Sequence, residues 1–192
     1  MQDTLSDQQL VESAKNGNLN DFEALVNRYQ GIVFRFLYHF MGNHNDAEDF
    51  TQETFIHLYR KLSLYNPAQS FKTWLITMAR NLAVSHYRKR SPTPIDPEII
   101  ADVVKDVVSG PEVEALIKES TREVQSALHR LSDEMREVLV MRYMLDFSIQ
   151  KVAEALNIPE GTAKSRAFQA RSELRAALTK VFPILGEVKE KS

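Results

Sequence analysis

Four residues near the C terminus, Lys164, Ser165, Phe168 and Gln169, are of the types that read base edges in a DNA groove. Lysine can address guanine, glutamine adenine, serine either, and a phenyl ring the thymine methyl. Arg166, Arg171 and Arg175 are interleaved with them and suit phosphates, which hold register without carrying sequence information. A second set, Thr73, Thr77, Arg80, Asn81, Val84 and Arg88, forms a polar stripe bordered by cations and suited to a nucleic-acid backbone. Tyr65 and Phe71 flank the loop before that stripe, and an exposed aromatic there could stack on an unpaired base for about 1–3 kcal/mol. Metal chemistry is the rival: Glu53 and His57 stand four apart on one helix face, with His39 and His44 nearby, but no third ligand is spaced to join them. No cofactor, metal or catalytic group is expected.

Net charge argues less than charge order. The formal total is -2, which by itself disfavours a polyanionic partner. From Thr54 to Ile95, however, there is no acid, while Arg60, Lys61, Lys72, Arg80, Arg88, Lys89 and Arg90 fall inside the window. From Asp96 to Glu123 eight acids oppose Lys105, Lys118 and Arg122, and from Lys164 to Lys180 five cations oppose Glu173 alone. The order is basic, acidic, basic, although any one such run can be a solvated helix face. With no cysteine, disulfide frameworks, thiolate catalysis and Cys-based zinc sites are excluded. No apolar run reaches the length of a membrane span, and the start MQDTLSDQQL lacks the basic-then-apolar order of a signal peptide, so a cytoplasmic protein is expected.

Helices must position these groups. Leu10, Val11 and Ala14, then Phe22, Leu25, Val26 and Tyr29, recur at three and four residues on either side of a break at Lys15-Asn16-Gly17-Asn18. The helical pattern runs on through Ile32 to Met41 and stops at Gly42-Asn43; Asn45 or Asp46 can cap the next helix, whose stripe is Phe50, Phe55, Leu58 and Leu62. After the loop Ser63 to Ser70, a helix to about Arg90 buries Phe71, Trp74, Leu75, Met78 and Leu82, which makes Trp74 core rather than a stacking platform. Pro92, Pro94 and Pro97 open a linker to Gly110, at most about 70 Å long when extended. Pro111 suits the first position of a helix with Val113, Leu116, Ile117, Val124, Leu128 and Leu131 on one face. Ser132-Asp133-Glu134 caps another, through Met135, Val138, Leu139 and Arg142.

Then comes a short helix, Ser148 to Ala155, with Ile149, Val152, Ala153 and Leu156 inward. Asn157-Ile158-Pro159 must turn, and a helix from about Glu160 sets Ala163, Ala167, Ala170 and Leu174 inward and Lys164, Ser165, Phe168, Gln169 and Arg171 outward. A short helix, a tight turn and a second helix with a polar, basic start is the pattern of a helix-turn-helix. The fold expected is all-α, in two helical domains joined by a linker.

Three motifs in order carry a resemblance: Asp46-Ala47-Glu48-Asp49 through Gln52-Glu53-Thr54-Phe55; Phe71-Lys72-Thr73-Trp74-Leu75 through Ala79-Arg80-Asn81-Leu82-Ala83; and Gly161-Thr162-Ala163-Lys164-Ser165-Arg166 through Ala170-Arg171. The chain resembles the extracytoplasmic-function sigma factors of bacterial RNA polymerase over nearly its whole length. The resemblance implies a region 2 domain at 1–91, a linker at 92–110, a region 4 domain at 111–183 and a tail at 184–192. It implies that Asp49, Gln52 and Glu53 contact core polymerase. Tyr65, Asn66, Thr77, Arg80, Asn81 and Arg88 would recognise and open the minus-ten element, while Lys164, Ser165, Arg166, Phe168, Gln169 and Arg171 would read the minus-thirty-five element. It also implies an anti-sigma partner. Ser85 and Gln169 depart from the family's frequent acid and base at those positions, which puts promoter preference in doubt. Glu160 sets a negative charge close to DNA unless it caps the helix or pairs with a cation. The competing reading is a stand-alone helix-turn-helix regulator that binds duplex without polymerase, usually as a dimer on a palindrome.

Overall fold

A computed structural model of the chain describes residues 5–41, 43–87 and 131–181. The packing divides the chain between Pro92 and Thr93 into two compact units. The linker, the helix expected after Pro111, Arg88 and the C-terminal tail lie outside the described residues.

The first unit is a bundle of α1 (Asp7–Lys15), α2 (Leu19–Met41), α3 (His44–Lys61) and α4 (Phe71–Tyr87). Ser6 and Gln9 close a reciprocal capping box at the start of α1, so two amides that lack helical partners are satisfied at once. The break before α2 falls where expected because Gly17 takes φ +93°, a conformation other residues adopt only with strain. Asp7 ties the two helices together: its carboxylate lies 2.6 Å from the Arg28 guanidinium and accepts a hydrogen bond from the Tyr29 hydroxyl. Burial, and next the bond to Asp7, hold the Tyr29 phenol protonated well above its ordinary range.

The cap of α3 is Asn43, whose side chain accepts from the Asp46 amide at 3.0 Å, and not Asn45 or Asp46. Starting two or three residues earlier leaves Asp46 inside the helix, where its charge still meets the positive end of the dipole. The stripe Phe50, Phe55, Leu58 and Leu62 is buried as expected.

Helix α4 departs from expectation. Phe71 and Leu75 are buried, but their companions are Ile76, Ala79 and Ala83, whereas Trp74, Met78 and Leu82 are only half-buried. The sequence offers two apolar stripes on this helix, and the bundle takes the one with the two alanines, where small side chains let helix axes approach. Thr73, expected on the polar stripe, is on the buried side at 2% exposure.

The second unit contains α5 (Asp133–Leu139), a wider π turn at Val140–Met144, α6 (Ile149–Leu156) and α7 (Glu160–Val181). Ser132 and Ser148 cap α5 and α6, each accepting an amide at 3.3 Å. The helix expected to run evenly through Arg142 therefore widens after Leu139. Asn157 ends α6 in the left-handed conformation, and the Ile158 amide reaches back to the Ala153 carbonyl at 3.0 Å, a Schellman-type stop. Among the described residues no strand is present, and no helix is long and apolar enough to cross a membrane.

Candidate nucleic-acid interface

In the second unit, the inner face of α7 is Ala163, Ala167, Ala170 and Leu174, all buried. Four small or branched groups at spacings of three and four let α7 cross its neighbours closely, which turns the opposite face outward. On that face Lys164, Ser165, Gln169 and Arg171 are exposed and the Phe168 ring stands 76% exposed. Standing among exposed polar neighbours, the ring is accessible to a partner. Glu160, one turn before Lys164, places its carboxylate 2.7 Å from the lysine ammonium.

Arg166 is placed otherwise than its neighbours. Its guanidinium lies 2.6 Å from the Glu134 carboxylate on α5 and its side chain is 25% exposed. That pair fastens the start of α7 to the capped start of α5, so the structure gives Arg166 a positioning contact where a phosphate contact was expected. Arg166→Met is expected to cost the second unit about 0.5 kcal/mol, the scale of a half-exposed pair. The salt dependence of duplex binding should stay as steep as before; a slope shallower by about 0.9 would return a phosphate to Arg166.

In the first unit, the loop between α3 and α4 is built from the inside. Tyr65, expected as an exposed platform, is 5% exposed; its hydroxyl donates to the Gln69 carbonyl at 2.6 Å and its ring meets Phe71 and Trp74 at 5.4 and 5.2 Å. Phe71 is equally buried. Neither ring is free to stack on a base in this arrangement, because each fills the space where α4 meets the loop. Lys15 from α1 donates to the Tyr65 carbonyl at 3.1 Å, so the loop is clamped from a third element. Asn66 is exposed, and its side-chain oxygen accepts the Ala68 amide at 2.9 Å, which turns the chain at Pro67.

The half-buried stripe of α4 lines a groove that the periodicity conceals. Trp74, Thr77, Met78, Asn81, Leu82 and Ser85 face His57, Lys61 and Leu64 across an open groove of about 340 Å³. Its lining mixes apolar side chains with polar ones, and Lys61 and Asn81 are exposed. It brings together Thr77 and Asn81, expected for single-strand contact, with Trp74, Met78 and Leu82, expected in the core. The Arg80 guanidinium donates to Asn81 at 3.3 Å. The cue available beforehand was Ala79 and Ala83, which compete with Trp74 and Met78 for the core.

On α3, Asp49, Gln52 and Glu53 are exposed, and Ile56 continues their stripe one turn on with 51% exposure. Glu53 and His57 lie 3.8 Å apart, and no three metal-ligating side chains come together among the described residues.

Comparison with known proteins gives a consistent set of likenesses. Residues 25–93 match the model of Sigma-70 region 2 and residues 121–174 that of Sigma-70, region 4. The ECF RNA polymerase sigma factor SigW of Bacillus subtilis is 31% identical over 177 residues, 88% of this chain and 94% of that protein. The RNA polymerase sigma-H factor of Pseudomonas aeruginosa is 32% identical over 190 residues, 94% of this chain and 96% of that protein. Among solved structures, CnrH in complex with the cytosolic domain of CnrY shares the fold with a TM-score of 0.69 at 24% identity, covering 91% of this chain and 97% of CnrH. The sigma factor RpoE of Bartonella quintana, in complex with the anti-sigma factor NepR, gives 0.63 at 24% identity over 83% of this chain and 97% of RpoE.

Proposed function

This chain belongs to the extracytoplasmic-function sigma factors of bacterial RNA polymerase, and from that premise we propose that it carries core polymerase to specific promoters and starts transcription there. The observation that supports the reading most is the outward line Lys164, Ser165, Phe168 and Gln169 opposite the alanine-packed face of α7. That line reads duplex at the minus-thirty-five element, and Arg171 holds the flanking phosphate.

The first unit handles the minus-ten element. A base leaving the stack enters the groove between α3 and α4, with Thr77 and Asn81 as polar contacts, Arg80 and Arg88 on the strand backbone and Asn66 at the loop. Unstacking costs a few kcal/mol, which contact with an apolar pocket can offset. Tyr65 then shapes the loop from beneath. Asp49, Gln52 and Glu53 dock on core polymerase, and Ile56 supplies apolar area next to them. A region 2 domain at 1–91 and a region 4 domain at 111–183, joined by a linker at 92–110 and followed by a tail at 184–192, engage separated promoter elements.

The chain performs no catalysis of its own; polymerase supplies the chemistry, in the cytoplasm where template and polymerase meet. An anti-sigma protein is the expected regulator, since both CnrH and RpoE were solved with a bound partner.

Adding the protein to core polymerase on a genomic DNA library, and sequencing the transcript starts, tests the reading. Starts should cluster downstream of a shared pair of elements and vanish without the protein. Binding of the protein alone to a palindrome with equal specificity, and no protein-dependent starts, would mean a stand-alone regulator instead.

A further inference from the structure

The first turn of the recognition helix carries a carboxylate that DNA should repel. Glu160 and Lys164 lie four residues apart, one above the other on the face that continues to Phe168, with side chains 40% and 63% exposed and charged atoms 2.7 Å apart. The Thr162 and Ala163 amides both donate to the Pro159 carbonyl, at 2.9 and 3.1 Å, so the Glu160 carboxylate is engaged by the lysine and not by those two amides. The surface beside Glu160 is open, since a Cβ built on Gly161 would meet nothing within 4 Å. The carboxylate thus stands at the leading edge of the helix, paired with a cation, with room for a partner in front of it.

We propose that Glu160 and Lys164 act as one recognition unit for a G·C base pair in the upstream promoter element, Lys164 donating to guanine and Glu160 accepting from the cytosine amino group. A G·C pair presents guanine acceptors beside a cytosine donor in the major groove, which is the complement of an ammonium beside a carboxylate. Lysine by itself binds any phosphate or guanine. With Glu160 attached it is repelled by phosphate and by a position offering acceptors alone, so the carboxylate converts a general cation into a selective reader. The ion pair need not break on binding, and neither charge is left alone as water leaves the groove. This inference rests on the proposed reading of the minus-thirty-five element by α7.

The test uses the full-length chain with core polymerase on duplex promoters randomised across the upstream element, scoring open-complex yield for each sequence. Glu160→Ala should lower the preference for cytosine at a single position about tenfold while preferences elsewhere persist. Glu160→Gln, which can bond adenine, should move that position toward adenine. The double change of Glu160 and Lys164 to alanine should lose no more discrimination there than the larger single loss. A uniform rise in yield across all sequences would show that Glu160 only repels DNA, and an unchanged profile with a lowered melting temperature would show that it only supports the helix; either overturns the proposal. Gln169→Ala in the same assay separates the two levels. If it relaxes a different position while Glu160→Ala leaves the profile flat, only the present inference fails, and if neither changes any base preference, the reading of duplex by α7 fails.

Discussion

Replacing Ala163 by leucine should destabilise the second unit and weaken its recognition of DNA while leaving the first unit intact. Ala163 has no exposed surface and stands on the face by which α7 crosses its neighbours, one residue before Lys164. Three added heavy atoms must either push the helices apart or take a strained rotamer, at about 1–3 kcal/mol. In a domain of this size that lowers the melting temperature by about 10 °C. The helix would also shift relative to α6, so recognition of the upstream element should drop more than stability alone requires, because base contacts tolerate little displacement. Gln169→Ala makes the control: it removes an exposed side chain and should alter base preference with no change in melting. Two-step melting with only the transition of the second unit lowered is the expected result. Equal melting of Ala163→Leu and the parent would mean that the helix crossing has slack, and would remove the packing basis for the outward face.

Mild acid should destabilise the first unit through His39. The imidazole is 4% exposed on α2, and its Nδ1 is buried without a hydrogen-bond partner among the described residues. Burial first, and the nearby Arg35 charge second, lower its pKa from the ordinary 6.5 to about 4. Between those values the unfolded chain holds a proton that the folded chain refuses, so stability rises with pH. The contribution is complete above pH 6.5 and is lost as pH falls toward 4. The loss should reach about 2 kcal/mol by pH 5, before most carboxylates titrate, and about 3 kcal/mol at pH 4. His39→Leu keeps the apolar volume and removes the proton site, so urea melts of this variant should show little slope between pH 6.5 and 5. An undiminished slope in His39→Leu would assign the acid sensitivity to other groups.

Ala163 and His39 differ in how much of their burial the local sequence encodes. The inner alanines of α7 stand out in the sequence because a period of 3.6 separates them cleanly from Lys164, Ser165, Phe168 and Gln169, and the structure buries the alanines and exposes those four. In the sequence His39 is only a stray ligand type near Glu53 and His57. Its burial follows from α2 being covered on the side it shares with Phe36 and Phe40, which no local pattern reveals.

Local signals also settled the helix limits where a residue has one conformational use. Gly17 at positive φ, Ser6, Ser132 and Ser148 as caps, and Asn157 before Pro159 each act within a few residues of themselves. A four-residue cap is a local contest, and at α3 the contest had three entrants, of which Asn43 prevailed.

What the sequence determined by itself was the all-helical character, the order of the two modules and the outward face of α7, because periodicity, caps and turn residues are short-range physics. Tertiary structure alone decided which of two apolar stripes on α4 is core. Packing also sank Tyr65, opened the groove lined by Trp74, Thr77 and Asn81, and gave Arg166 to Glu134. A helix reports that a face is apolar, but only the neighbour that covers it decides whether that face becomes core or the wall of a site.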